Sequence, residues 1–358
     1  MGIVSAKDAS LLESSSLIRL GELFCGAGGI GLGASLATIL KVEHIWATDY
    51  DKDACATYKK NLNPREVICE DVRKLDFEKL LKKHGEIDCL TFGFPCNDFS
   101  VVGKQKGIDG VFGALYQYCV NALQIFKPNF FIAENVSGLK NANEGEAFRC
   151  ILNSFIEAGY AIYPNLYRFE DYGIPQKRHR VIIVGIRNNI NLRFGIPSTL
   201  PFVNSDNSVK TALSNIPRNA PNNELTVQSP IVIERLKYIK EGENAFTAML
   251  PLALKLNVKG AKISQIYKRL KADEPAYTIT GSGGGGTHVY HYRDNRALTN
   301  RERARLQTFP DRFIFEGSKE SVRKQIGMAV PPLAIKIIFE ALFNCILGRE
   351  YETMEARL

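Results

Sequence analysis

Leu17-Ile18-Arg19-Leu20-Gly21-Glu22-Leu23-Phe24 runs into Gly26-Ala27-Gly28-Gly29-Ile30-Gly31. The first stretch reads as a strand. The second opens an apolar helix that the pattern carries to about Leu40. Gly26, Gly28 and Gly31 have the G-x-G-x-x-G spacing at a strand-to-helix turn, where glycines let a cofactor approach the backbone at a helix N-terminus. Alone, that spacing is a weak signal, and its neighbours decide its weight.

The next strand, Glu43–Thr48, ends in Asp49-Tyr50. Asp49 stands roughly 20 residues past the glycines, where an acid reaches ribose hydroxyls. Strand Glu66–Cys69 ends in Glu70-Asp71-Val72. Three successive strand ends thus carry glycine or acid, and in a doubly wound sheet such ends line one crevice. The competing reading makes Asp49 and Asp71 helix caps, a role Asp fills well.

Ile87–Phe92 is an apolar run of strand length, followed by Gly93-Phe94-Pro95-Cys96-Asn97-Asp98-Phe99-Ser100 and a Gly-rich loop. Pro95 fixes its own φ and pushes Phe94 toward extended geometry, so the Cys96 thiol is aimed. An isolated Pro-Cys is more often just a buried thiol. The alternation continues with a helix over Leu115–Phe126 and a strand over Pro128–Ala133, closed by Glu134-Asn135-Val136. A helix follows near 147–159 and a strand over Tyr163–Phe169. Gln176-Lys177-Arg178-His179-Arg180 then leads into strand Val181–Ile186. Strands separated by helices predict an α/β fold with a doubly wound, mostly parallel sheet.

The 358 residues suffice for a large domain and a smaller one. A net charge of +8 points, weakly, to a polyanionic partner. The eight cysteines form no C-x-x-C pair and lie scattered in apolar runs. They read as reduced thiols of a cytoplasmic protein, with no zinc site and no disulfide frame. No apolar run suggests a membrane span, and residues 1–16 read as a loose leader.

After Arg193 the pattern changes to Pro, Asn and Ser, then to Lys. The run Gly281–Gly286, with Gly283 and Gly284 at its centre, is flanked by Thr280, Thr287, His288, Tyr290 and Arg293. It suits either a mobile linker or a segment lying along a phosphodiester backbone. Arg296, Arg301, Arg303 and Arg305 offer phosphate contacts or simply an exposed charged face. The final apolar helix, Leu333 to about Leu347, is expected to pack back on the first domain.

At this point the chain resembles the bacterial DNA cytosine-5 methyltransferases over roughly residues 19–347. The motifs are Phe24-x-Gly26-x-Gly28-Gly29, Gly93-Phe94-Pro95-Cys96, Glu134-Asn135-Val136, Gln176-x-Arg178-x-Arg180, Gln307-Thr308-Phe309-Pro310 and Gln325-Ile326-Gly327, in the family's order. The resemblance implies an S-adenosylmethionine-dependent, Rossmann-like domain over 17–193 and 320–350, and a smaller target-recognition domain over 194–319. It implies S-adenosylmethionine as cofactor, double-stranded DNA as substrate and a cognate restriction endonuclease as a candidate partner; a monomer is expected. Phe24 and Tyr50 would lie against adenine, Asp49 at the ribose, and Asp71-Val72 at the adenine edge. Gly26, Gly28, Gly29, Pro95 and Leu115 would complete the cofactor site. Met328 stands where the family usually has Asn.

The implied catalytic set is Cys96, Glu134, Arg178 and Arg180. Cys96 is the nucleophile toward cytosine C6, and Glu134 supplies a proton or hydrogen bond at N3. Arg178 and Arg180 are the cations placed near the thiol. Glu134 is expected to be buried, with Asn135 holding the loop. Ser100, Lys104, Gln105, Gly283, Gly284, Thr287, His288 and Arg296 are the expected DNA contacts. A zinc deaminase reading fails on its ligands, because Phe99 occupies the place of its second cysteine. The roughly 100 residues between Arg193 and Arg293 exceed the shorter variable region typical of tRNA cytosine methyltransferases on the same frame, and the intact Pro95-Cys96 and Glu134 argue against a silent DNA-binding regulator.

Overall fold

A computed structural model describes residues 17–94, 115–139, 145–256, 264–281, 283–284 and 286–358. The described residues divide into two compact units. The first draws on Met1–Arg168, His179–Pro201 and Pro332–Leu358, and the second on Phe169–Arg178 and Phe202–Pro331.

The chain begins with β1 (Leu17–Leu23), α1 (Gly29–Leu36), β2 (Lys41–Asp49), α2 (Lys52–Leu62), β3 (Glu66–Cys69) and α3 (Phe77–His84). It continues with β4 (Cys89–Phe92), α4 (Leu115–Phe126), β5 (Phe130–Val136), α5 (Glu146–Glu157) and β6 (Tyr160–Arg168). After β7 (Gln176–Lys177), which belongs to the second unit, come β8 (His179–Arg187) and β9 (Ile196–Pro197) of the first. The second unit then holds α6 (Val209–Ala212), α7 (Pro230–Tyr238), β10 (Ala276–Tyr277), α8 (Asn300–Leu306) and α9 (Lys319–Met328). The first unit resumes with α10 (Pro332–Ile346) and β11 (Thr353–Met354).

Seven strands of the first unit form one sheet in the order β3-β2-β1-β4-β5-β8-β6. The strands from β3 to β5 are parallel, whereas β8 runs antiparallel to both β5 and β6. The antiparallel edge has a local cause, since the 10 residues between β6 and β8 carry no helix that could cross over. Helices on both faces explain the apolar strands: Leu20, Leu23, Ile45, Leu90 and Phe92 are fully buried, and every residue of β4 is buried. α1 stops at Leu36, short of the expected Leu40, because Ala37 is already extended and β2 starts at Lys41.

α10 packs along α1, as expected of the last apolar helix. The stretch Lys319–Ile346 matches a membrane span by length and composition, but 67% of its most apolar window is buried inside the protein. The units differ from the expected 194–319 boundary at three places: residues 169–178 and 320–331 group with the second unit, and residues 194–201 with the first. The close approach of α9 accounts for residues 320–331. A Cβ on Gly327 would stand 1.9 Å from the Gly281 nitrogen, so only glycine fits against the Thr280-Gly281 backbone.

The second unit has few regular elements, and its loop carbonyls need donors. Arginines supply them. Arg301, fully buried, donates to the carbonyls of Pro221, Pro310 and Phe313. Arg269 donates to those of His291, Asp294 and Leu236. Arg305 pairs with Asp311 and reaches the Ala212, Ser214 and Asn215 carbonyls. A guanidinium offers five N–H groups in a fixed fork, which suits this task better than an ammonium. The arginine-rich α8 is thus largely internal scaffolding, started by a Thr299–Glu302 capping box.

Candidate active site

The strand order reverses between β1 and β4, so the crevice beyond their carboxyl ends is where an α/β sheet binds ligands. The turn after β1 is tight. Phe24, Gly26 and Gly28 all have positive φ, at 53°, 52° and 88°. Gly28 caps α1 from a left-handed conformation without a side-chain cap. At Gly26 nothing lies within 4 Å of where a Cβ would stand, so its backbone is open to a bound group.

Asp49 ties that turn to β2. Its Oδ2 accepts from the Gly26 N–H at 2.8 Å and its Oδ1 from the Asp51 N–H at 2.9 Å. Burial pushes the Asp49 carboxyl above its ordinary range, against the pull of those N–H groups. A carboxylate has about four lone-pair sites, so acceptor capacity remains for hydroxyls. Tyr50 beside it is 64% exposed, an aromatic face available for stacking. Phe24 is half-buried, Val72 is buried, and Asp71 caps the turn at Val72 while pairing with Arg73. The Arg73 hydrogen bonds hold the Asp71 carboxyl down at about 2. Gly29 is the first residue of α1, and Leu115, buried in the core, is the first of α4.

The second part of the crevice forms where β4 and β5 end together. Phe92 and Ala133 are register partners, which sets Gly93 beside Glu134. A Cβ on Gly93 would lie 3.2 Å from Glu134 Oε2. Arg180, on β8, donates through Nε to Glu134 Oε1 at 2.8 Å. Burial pulls Arg180 below its ordinary value while Glu134 holds it up. Asn135 is buried and donates through Nδ2 to the Phe94 carbonyl at 3.2 Å, and its Oδ1 accepts from the Val136 N–H. Asn135 thus ties the end of β5 to Phe94, the last described residue before Pro95-Cys96. Pro95, Cys96, Ser100, Lys104 and Gln105 lie outside the described residues.

Two arginines, one expected near the thiol and one on DNA, have partners inside the second unit. Arg178, only 2% exposed, donates through Nη1 to the Ile279 carbonyl and through Nη2 to that of Met328, so it braces the backbone of the second unit. Arg296 makes a bidentate pair with Glu302, both bonds 2.7 Å, and also meets Asp294. Its fork is therefore engaged inside the protein, although it was expected on DNA.

One constellation escaped the sequence reading. Glu22, 1% exposed in β1, accepts at Oε2 from the Tyr58 hydroxyl at 2.9 Å. Tyr58 meets His44 Nδ1 at 3.0 Å, and His44 Nε2 meets Ser35 Oγ at 2.7 Å. The Gly31 N–H also donates to Glu22, which anchors the start of α1. Burial drives Glu22 up to about 8 and His44 down to about 4, so both are neutral near pH 7. The signal was present as a single acid among the apolar residues at the end of β1, Leu20, Gly21 and Leu23.

Residues 18–344 match the family model described as C-5 cytosine-specific DNA methylase. The chain belongs to that family. It is 50% identical to the Type II methyltransferase M.BbvI of Brevibacillus brevis, across 95% of this chain and 94% of the relative. It is 40% identical to the Type II methyltransferase M.NgoFVII of Neisseria gonorrhoeae, across 99% and 93%. The fold is similar to that of a crystal structure assigned to a DNA modification methyltransferase of an E. coli prophage, with a TM-score of 0.73 at 24% identity over 92% and 99% of the chains.

This DNA cytosine-5 methyltransferase therefore has an α/β methyltransferase unit that takes a methyl-donor cofactor. Of the remaining expected DNA contacts, Gly284 has nothing within 4 Å of a Cβ position. Thr287 closes a turn by donating through N and Oγ1 to the Gly284 carbonyl. A Cβ on Gly283 would stand 3.3 Å from His288 Nδ1, and burial with nearby Arg303 and Arg323 pushes His288 down to about 4. Met328 is 64% exposed at the end of α9.

Proposed function

We propose that the protein methylates C5 of one cytosine in a specific duplex DNA sequence, with S-adenosylmethionine as donor, as the modification enzyme of a restriction–modification system. A cognate endonuclease acting on the same site is its functional partner in the cytoplasm. The open backbone at Gly26, the Asp49 carboxylate and the exposed Tyr50 fit an adenosyl group. Asp49 would accept from the ribose hydroxyls, Phe24 and Tyr50 would cover the adenine, and Asp71-Val72 would meet its edge. S-adenosylmethionine supplies an electrophilic methyl group.

The target base is inaccessible within a duplex and must be extruded, at a cost of a few kcal/mol. Cytosine C5 is a poor nucleophile in the aromatic ring. The Cys96 thiolate forms a bond to C6, and the C5=C6 electron pair moves to C5, which then takes the methyl group. Negative charge builds toward N3 as sulfur adds, and Glu134 meets it there by hydrogen bonding or proton transfer. Arg180 fixes which way that carboxyl points. Loss of the C5 proton returns the electron pair to C5=C6 and expels the thiolate.

The observation that carries this reading is the convergence of Glu134, its Arg180 partner and the Asn135-held Phe94 carbonyl immediately before Pro95-Cys96. Expression in a methylation-free host, followed by bisulfite sequencing, should reveal methylcytosine at one recurring sequence. The Cys96→Ala variant should leave that DNA unmodified. Methylation by the variant at the parent's rate would overturn the mechanism.

A further inference from the structure

Two thiols bracket the turn that carries Asp49 and Tyr50. Cys69 is the register partner of Asp49 across β2 and β3, and Cys55 lies in the first turn of α2. The Cys55 S–H donates to the Asp49 carbonyl at 3.3 Å, and the Cys69 S–H to the Tyr50 carbonyl at 3.9 Å. The acceptors are consecutive carbonyls, and Cys69 lies near enough to Cys55 to help raise its thiol above the usual range. Both cysteines are free, Cys55 buried and Cys69 exposed.

We propose that Cys55 and Cys69 form a reversible disulfide that weakens cofactor binding at the Asp49–Tyr50 turn. This rests on the reading of that turn as the adenosine seat. In a reducing compartment, a thiol pair that oxidises acts as a sensor and not as a staple.

The oxidant is a small disulfide such as oxidised glutathione. The exposed Cys69 thiolate attacks one of its sulfurs, forms a mixed disulfide and releases one glutathione thiolate. The Cys55 thiolate then attacks the Cys69 sulfur and displaces the second glutathione. Two protein thiols are oxidised, one glutathione disulfide is reduced to two thiols, and the two thiol protons leave with the products or to solvent. Burial and the neighbouring thiol push Cys55 well above the usual thiol range, so the second step is faster at higher pH.

The S–S bond is far shorter than a thiol–thiol contact, so the end of β3 and the start of α2 must draw together. Both S–H donors to the turn disappear at the same time. The carbonyls of Asp49 and Tyr50 lose these donors, and the carboxyl and ring of the same two residues are displaced.

The test uses the full chain treated with oxidised glutathione and then trypsin. Lys59, Lys60 and Arg65 separate the two cysteines, so a disulfide appears by mass as two linked peptides. S-adenosylmethionine binding is measured by calorimetry on reduced and oxidised protein. Linked peptides should accumulate, and the dissociation constant should rise at least about tenfold and recover with dithiothreitol. Cys69→Ser should show neither effect. Absence of the linked peptides, or a disulfide with unchanged affinity, overturns the proposal. Reduced protein whose affinity ignores Asp49→Asn would instead overturn the adenosine-seat reading, and the regulatory claim with it, while the linked peptides would still report the disulfide.

Discussion

Arg180 donates through Nε to Glu134 Oε1 at 2.8 Å, and each side chain is only 13% exposed. A charge pair this enclosed resists removal of either member, because the survivor stays desolvated without a partner. Losing one partner of such a pair typically costs about 3–5 kcal/mol. Arg180→Leu should lower the melting temperature and abolish methyl transfer. Glu134→Gln keeps the shape and removes the acid. It should slow tritium transfer from labelled S-adenosylmethionine by roughly 10²-fold or more, with duplex binding retained. Near wild-type transfer by Glu134→Gln would remove Glu134 from the chemistry.

Asp49 offers a separate test of the cofactor side. Asn at that position keeps one acceptor oxygen for Gly26 or Asp51 and loses the charge. Hydrogen bonds to a charged group contribute about 1.5–3 kcal/mol. Asp49→Asn should therefore weaken S-adenosylmethionine binding by roughly 10- to 100-fold in calorimetry. A change confined to the turnover number, with affinity intact, would contradict the ribose assignment.

Glu22 makes stability depend on pH. Its folded value of about 8 lies above the ordinary 4.5, so the folded state holds a proton that the unfolded chain releases between those values. The Glu22 contribution to stability is greatest below 4.5, falls as pH rises toward 8 and is then level, with a limiting slope of roughly 1.4 kcal/mol per pH unit. Glu22→Gln abolishes that dependence. His44 titrates in both proteins, so its opposite trend cancels in the comparison. Urea denaturation across this range should show the Gln variant gaining on the parent with rising pH. Parallel curves would refute the assignment.

The parallel core was legible because its strands are continuous apolar runs, and Glu66–Cys69 and Leu115–Phe126 appear at the residues their patterns gave. Asn135 was legible only as part of the Glu134-Asn135-Val136 motif, and its bond to the Phe94 carbonyl appears only in the fold. The arginines were not. A sequence shows a charge without showing its acceptor, and in the second unit the acceptors are carbonyls distant along the chain, as with Arg301 and Pro221. The +8 excess therefore overstates the charge available to DNA. Glu22 was passed over because its partners come from three other elements, which only the fold brings together.

Gly327 tests the packing of the second unit. Its missing side chain lets α9 touch backbone, with a hypothetical Cβ 2.1 Å from the Thr280 carbonyl carbon and 1.9 Å from the Gly281 nitrogen. No rotamer relieves a clash with main chain. Gly327→Ala should lower the melting temperature markedly, through overpacking of about 1–3 kcal/mol or more. Gly284→Ala, with open space around its Cβ, should leave stability within about 0.5 kcal/mol of the parent.

Arg296 separates structural from DNA-facing cations. Its pairs with Glu302 and Asp294 leave it 23% exposed and raise it above the ordinary arginine value, chiefly through the Glu302 hydrogen bonds. Release to bind a phosphate would strand Glu302, whose side chain is 7% exposed. An arginine that contacts a phosphate steepens the dependence of log Kd on log salt by about one unit. Arg296→Met should therefore reduce thermal stability and leave that slope as it is in the parent. Fluorescence anisotropy with a cognate duplex across a salt series decides the matter. A slope shallower by about one unit would return Arg296 to the DNA interface.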